Sequence, residues 1–403
     1  MAYNSDELCA PSWLDDDFFL KVMREFENDA TVRLTAECPL RPGTKAGDHF
    51  ASVMYRTKAQ YRAANGEQKS IDLIVKLKPT VDGLKKELLD DDDFFGREIR
   101  MYSDVLPRMG QLLAGIGEDY KYPRLIYSSR KPHTILVLKD ISSEGWVTQG
   151  LVPTFEELKP TVRNIAKFHV ASMALAQSDP TFAVLNKCTV LDTFRTMKPM
   201  TDACFASFIR FVSDTLNLPE FVGPLERFHL QLYYHLKAAY ATSSVCANVL
   251  IHGDFHFKNL LHLRCADKIS DTMFVDYQMC GWASQVVDLV YLTYMIPEQS
   301  VKDNHRDEIV YCYHQTFGSI LRQLQMGDHV PRLIDLQAEL LRVGALELFH
   351  YVVFSAFRYI DMSTVDPEAF FLGRIENPAF EMAEFRRTIA KELNRFRHQG
   401  VLE

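Results

Sequence analysis

The 403-residue sequence has no surplus of basic residues. Its 45 Lys and Arg stand against 53 Asp and Glu, a formal net charge of -8. Neutralising a nucleic-acid backbone needs a positive excess, so the balance argues against a nucleic-acid binder, while leaving room for a small basic cleft around one nucleotide. Cysteine is sparse: eight are scattered over positions 9, 38, 188, 204, 246, 265, 280 and 312, with no C-x-x-C pair and no His/Cys group at zinc spacing. That argues against a zinc centre and a disulfide-stapled scaffold, and favours free thiols in a reducing compartment. Long hydrophobic runs are missing too. The N-terminus, MAYNSDELCAPSWLDDDFF, is acidic and lacks the apolar core of a secretory signal. The longest apolar stretches, such as 285–296, are interrupted by polar residues and too short to span a bilayer. A cytoplasmic protein with no membrane partner is expected. Neither a low-complexity tract nor an internal repeat is present.

What remains is an ordinary globular composition, 47% hydrophobic and 24% charged. The length suits one large bilobal domain or two to three smaller ones. Segments 31–38 and 50–61 alternate apolar and polar residues, the pattern of half-buried antiparallel strands. A compact strand at 71–77 is closed by Pro79, and 122–128 with 134–138 reads as a strand pair around Pro132. The acidic run 90–93 reads as a helix cap and solvated face before FFGREIRMYSDVLP, a helical pattern expected to stop at Pro107. After about residue 140 the pattern turns helical, with amphipathic segments at 154–177, 202–214, 224–241, 302–325, 332–358 and 379–397. One β-rich island, 249–263 with 273–278, interrupts them.

That island carries the chemistry. VLIHGDFHFKNLLHL holds His252, Gly253 and Asp254, then four residues, then Asn259, the spacing of the kinase catalytic loop H-R-D-x-x-x-x-N. An aspartate there can accept a substrate hydroxyl proton, and an asparagine five positions on can turn back to a metal ion. Apolar strands on both sides would hold the loop. FVDYQ follows, with Asp276 at the end of an apolar strand, the context of a magnesium-chelating aspartate. Together these predict an α+β, two-lobed protein-kinase-like fold, with a small antiparallel-sheet N-lobe over 1–139 and a large, mainly helical C-lobe over 140–403.

H-G-D-x-H-x-x-N followed by D-Y-Q resembles the aminoglycoside-phosphotransferase and choline-kinase-like superfamily, and within it the ecdysteroid kinase-like family. GDHFAS at 47–52, IVKLKP at 74–79, FFGREIRMY, LVLKDIS and IAKFHVAS at 165–172 resemble that family's nucleotide loop, lysine strand, C-helix, hinge and first C-lobe helix. The resemblance runs in order over about residues 40–300. It implies ATP and Mg2+ as cofactors, Asp254 as catalytic base, and Asn259 and Asp276 as metal ligands. Lys76 would hold the α- and β-phosphates, oriented by Glu98. Lys78 shares its strand face and competes for the role, which position in the V-K-x-x-P pattern gives to Lys76. Gly47 and Ser52 would contact phosphate, with His49 standing where the family has Asn. Residues 138–141 would form the adenine-reading hinge, with Leu138 and Asp140 at the nucleotide and Lys139 in place of the usual Glu. Asp288 either braces the catalytic loop or only starts a helix. His169 and His256 read as packed, hydrogen-bonded histidines.

No A-P-E motif or peptide-docking segment follows Asp276, and position 253 is Gly where protein kinases carry Arg. A compact acceptor is therefore expected: a small-molecule alcohol, an ecdysteroid or a hydroxylated or glycosylated xenobiotic met in detoxification, phosphorylated by a monomer. The alternatives are a kinase acting on cationic choline or aminoglycosides and an inactive pseudokinase scaffold. Aromatics at 205–235 and 344–371 suit an apolar pocket and a helical core alike.

Overall fold

The computed structural model describes residues 7–44, 52–79, 86 and 93–403. They form two compact units, residues 1–107 with 121–147, and residues 108–120 with 148–403. The sequence reading cut the chain once, after 139. Segment 108–120 instead belongs with the second unit.

The first unit is built on an antiparallel sheet of six strands: β1 (Arg33–Leu34), β2 (Arg41–Pro42), β3 (Val53–Arg62), β4 (Gln68–Leu77), β5 (Leu125–Ser129) and β6 (Ile135–Lys139). The order is β1-β3-β4-β6-β5, with β2 on the free end of β3. β3 buries every second residue, including Tyr55, Ala59 and Tyr61, as its alternating sequence requires. Of the expected strand at 31–38, only Arg33 and Leu34 pair. The helix α1 (Asp16–Glu27), not foreseen from the sequence, starts where the Asp15 side chain accepts the Phe18 N–H at 2.9 Å. Its Phe19, Val22 and Met23 pack into the same core as Tyr55, Leu73, Val75 and Val137.

The helix Phe94–Arg100 does not end at Pro107. It passes through a π-helical turn, Met101–Val105, into Leu106–Ala114. The wider turn accounts for the difference: the Leu106 N–H bonds back to the Met101 carbonyl, five residues away, which eases the carbonyl crowding that a proline imposes on an α-helix.

The second unit is mainly helical. Its long helix Phe155–Ser178 buries 13 residues and packs along Gln299–Gln323. The expected helix at 332–358 is broken into Leu333–Arg342, Gly344–Phe349, a π-helical turn His350–Phe354, and Ser355–Tyr359. Short antiparallel strands sit among the helices. Leu260–Cys265 pairs with Lys268–Phe274, and Asn248–Ile251 pairs with Gly281–Ser284, both antiparallel. Among the described residues no single helix is long and apolar enough to cross a membrane. Sheet-based first unit and helical second unit together give the two-lobed α+β fold of the protein-kinase-like class.

Candidate active site

The register of the Leu260–Cys265 hairpin assembles the two sequence motifs. Leu260 lies opposite Phe274, so Asn259 comes beside Val275 and one residue from Asp276. The Val275 N–H donates to the Asn259 carbonyl at 3.1 Å, and His252 Nε2 meets the Val275 carbonyl at 3.0 Å. The Asn259 amide nitrogen donates to the Asp254 backbone carbonyl at 2.9 Å and to Asp254 Oδ2 at 3.2 Å. Those bonds fix the amide's orientation, so its oxygen is the end that could hold a metal ion. Asp276 adopts a left-handed backbone, φ 65°, uncommon for a residue with a side chain and concentrated at functional turns.

The structure explains Gly253. Its φ is +79°, and an added Cβ would lie 2.4 Å from the Met279 carbonyl oxygen. No side chain fits there, so the arginine of protein kinases is sterically barred.

Asp288 resolves the choice left open by the sequence. It starts the helix Val286–Tyr294, is fully buried, and accepts the His252 N–H at 2.7 Å and the Gly253 N–H at 3.1 Å. His169 Nε2 stands 3.0 Å from the same carboxylate, and its Nδ1 is 2.7 Å from the Tyr313 hydroxyl. This buried set grips the loop that presents Asp254. His169 is thus packed and hydrogen-bonded, as read. His256 is more than packed: its Nε2 lies 3.4 Å from Asp254 Oδ1. Burial pushes the Asp254 carboxyl up, but His256 beside it, with His252 and the Asn259 amide, outweighs this and holds it at about 2.

In the first unit, Lys76 Nζ lies 2.7 Å from Glu98 Oε2, with both side chains buried. A buried ion pair of this kind fixes both partners, and its lysine is the one that the V-K-x-x-P pattern favours. Ser52 is buried just before β3, whereas Gly47 and His49 lie outside the described residues. At the hinge, Leu138 pairs with Ile74 of β4. The Lys139 and Asp140 N–H groups donate to the Arg124 and Asp72 carbonyls at 2.9 and 2.8 Å. The Asp140 carboxylate is committed to Arg56 and to the Ser142 N–H, and Lys139 pairs with Glu144. The side chains of Lys139 and Asp140 therefore brace the strand end. Glu7, which no sequence pattern singles out, is buried and accepts the Thr44 N–H at 3.1 Å and the Met54 N–H at 3.2 Å.

A loop-borne carboxylate gripped by its asparagine, a hairpin-borne aspartate beside it, and a strand lysine paired to a helix glutamate are the parts of a kinase-like phosphotransferase. The chain belongs to the ecdysteroid kinase-like family, whose pattern matches residues 46–326. Membership makes it a phosphotransferase acting on hydroxyl groups of small molecules. No curated protein sequence matches the chain. Among solved structures it is similar to the GDP complex of wild-type aminoglycoside 2'-phosphotransferase-IIIa, at 12% identity over 92% of this chain and 98% of that one, with a TM-score of 0.42. It is also similar to macrolide 2'-phosphotransferase MphH from Brachybacterium faecium, at 11% identity over 87% and 98%, TM-score 0.34. The AMP-bound spectinomycin phosphotransferase is 13% identical over 81% and 91%, TM-score 0.37.

Proposed function

We propose that the chain is an ATP-dependent kinase that phosphorylates a hydroxyl of a neutral, largely apolar small molecule, with an ecdysteroid the leading acceptor and a hydroxylated xenobiotic the next. The observation that carries the reading is the Asn259 amide clamped on Asp254, with Val275 tying the Asp276 turn to the same loop. In this reading Asp254 accepts the proton of the acceptor hydroxyl as its oxygen bonds to the γ-phosphorus. The bond from that phosphorus to the bridging oxygen breaks, and ADP leaves. With its carboxyl held at about 2, Asp254 stays ionised across the working pH range. It acts chiefly by orienting the hydroxyl, since a loose transition state asks little of a base until late.

Lys76, fixed by Glu98, would hold the α- and β-phosphates. Asp276 and Asn259 would hold Mg2+. A carboxylate and an amide oxygen fit this hard ion, which keeps several waters and takes its remaining oxygens from phosphates. When bound, the ion neutralises charge on the phosphates. Membership of the ecdysteroid kinase-like family favours an apolar alcohol over choline or an aminoglycoside. The reading takes the enzyme as cytoplasmic and monomeric, in line with its sparse, scattered cysteines.

The test is Asp254→Ala. Turnover should fall at least about a hundredfold while ATP affinity, measured by calorimetry, stays near wild type. Near-wild-type turnover would remove Asp254 from the chemistry. Robust choline turnover with no response to ecdysone would replace the acceptor and keep the kinase.

A further inference from the structure

The imidazole of His256 stands against both side chains of the catalytic loop. Its Nε2 lies 3.4 Å from Asp254 Oδ1 and 3.4 Å from the Asn259 amide nitrogen. Its Nδ1 accepts the Lys258 N–H at 3.2 Å, which makes His256 the N-cap of the short 3-10 turn Phe257–Asn259. The backbone ties the same three residues together. The His256 N–H donates to the Asp254 carbonyl at 3.1 Å, and the Asn259 N–H donates to the His256 carbonyl at 3.0 Å. The loop around Asp254 is crowded, yet the site is open: the His256 side chain keeps 22% of its surface accessible and that of Asp254 keeps 32%. A ligand can meet both in the fold as it stands.

The hydrogens of this cluster are assigned from their partners. A ring nitrogen that accepts a hydrogen bond carries no hydrogen, so the imidazole has its hydrogen on Nε2. The two hydrogens of the Asn259 amide go to Asp254, one to the backbone carbonyl and one to Oδ2. Neither is left for Nε2, so the approach of the two nitrogens is not a bond between them. The Nε2–H faces Asp254 Oδ1 at 3.4 Å, longer than the roughly 2.7–3.2 Å of a settled N–H···O bond. It is a donor aimed at the reaction centre and not fully engaged there. Capping alone does not account for a histidine, because Asn, Asp, Ser and Thr are the preferred caps.

We propose that His256 is a catalytic residue of the phosphoryl transfer: its Nε2–H donates to a non-bridging oxygen of the γ-phosphoryl group as that group passes from ADP to the acceptor. This rests on the kinase reading above. In that reading the acceptor oxygen is held at Asp254 and the metal end of the site is the Asn259 amide oxygen. The group in transit lies between the two, and Nε2 stands within 3.4 Å of both side chains. The acceptor oxygen bonds to phosphorus, the bond from phosphorus to the bridging oxygen breaks with its electron pair leaving on ADP, and the hydroxyl proton passes to Asp254. His256 keeps its hydrogen throughout. Charge spread over the equatorial oxygens meets a donor whose ring is already fixed by its cap, and a preorganised donor lowers a barrier where charge is spread in this way.

The test separates the two ring nitrogens in the full chain. In His256→Asn the amide oxygen takes the Nδ1 place and still caps the turn, while nothing replaces the Nε2–H. This variant should melt as wild type does. Its ATP consumption with ecdysone should fall roughly a hundredfold, the cost of one preorganised donor, with the KM for ATP unchanged. A second readout needs no turnover. Aluminium fluoride with ADP imitates the phosphoryl group in transit, and by calorimetry with magnesium present it should tighten ADP binding to wild type. The variant should bind ADP alone as wild type does and lose most of that tightening. His256→Gln, whose amide nitrogen reaches toward the Nε2 place, should recover part of both. If His256 only caps the turn, His256→Asn matches wild type in both readouts and the assignment is overturned. A lowered melting temperature with the fluoride effect intact overturns it as well. If wild type accepts no ecdysone, slow ATP hydrolysis and the fluoride complex still decide the role of His256. Absence of ATP and ADP binding by wild type would instead overturn the kinase reading itself.

Discussion

Replacing Asp288 by Asn removes one charge and exchanges one acceptor for a donor at a fully buried position. The wild-type carboxylate accepts from His252 N–H and faces His169 Nε2 through Oδ2, and accepts from Gly253 N–H through Oδ1. If the amide oxygen takes the Oδ2 place, two contacts survive and an NH2 confronts the Gly253 N–H. The reverse placement sacrifices two, so the first is adopted. A hydrogen bond to a charged group contributes about 1.5–3 kcal/mol, and the surviving pair is weakened by loss of charge. A destabilisation of about 2–4 kcal/mol follows, a large part of the ~5–15 kcal/mol that holds a domain folded. The injured bond belongs to the residue just before Asp254, so turnover should fall on the order of a hundredfold, the cost of a shift of about 1 Å in a catalytic group. Urea denaturation gives the first quantity and ATP consumption with acceptor the second, with ATP affinity as the control. A variant within about 0.5 kcal/mol of wild type and with full turnover would refute the proposed grip on the loop.

Gly253→Ala should be worse than most single-methyl additions. Its positive φ disfavours any side chain, and the new Cβ would meet the Met279 carbonyl at 2.4 Å, so both melting temperature and turnover should drop. Asp276→Asn should weaken Mg·ATP binding at least about tenfold and abolish turnover, because an amide cannot balance a divalent charge; calorimetry with and without magnesium checks it. Glu347 sits buried among Lys302, Arg306 and Arg395. Burial would raise its carboxyl, but those cations hold it far below 4.5. A depressed carboxyl contributes stability that is fully present above its unfolded value and lost as pH falls toward the folded one. Wild type should therefore lose stability steadily below about pH 4.5, and Glu347→Gln should flatten that slope. At neutral pH the variant should cost about 3–5 kcal/mol by leaving buried cations unbalanced, read by denaturation at several pH values.

The chemistry-bearing motifs were legible because they are local. H-G-D-x-x-x-x-N and F-V-D-Y-Q each fit within one loop, and the two are joined by a hairpin. The lysine was less so: Lys76 and Lys78 share a strand face, and the sequence favours Lys76 only by its place in the V-K-x-x-P pattern, whereas its pairing with Glu98, 22 residues away on another element, forms only on packing. The grip on the loop was ambiguous for the same reason. His169, Asp288 and Tyr313 are far apart in sequence, and their bonds exist only once three helices have packed. The helix through Pro107 was misread because a π-helical turn relieves a clash that proline normally forces, and no residue type announces such a turn. Glu7 and α1 were missed because an acidic N-terminal stretch reads as solvated surface until its partners, Thr44, Met54 and the sheet core, are in place.

The most direct test of the kinase reading is transfer itself. Wild type, Asp254→Ala and Asp276→Asn are each incubated with Mg·ATP and ecdysone, and the steroid is examined by mass spectrometry for an added phosphate. The account predicts a phosphorylated steroid with wild type alone, with ADP formed in equal amount. Equal yields from wild type and Asp254→Ala would contradict it, and so would ATP consumption by wild type that leaves ecdysone and a panel of hydroxylated xenobiotics all unmodified.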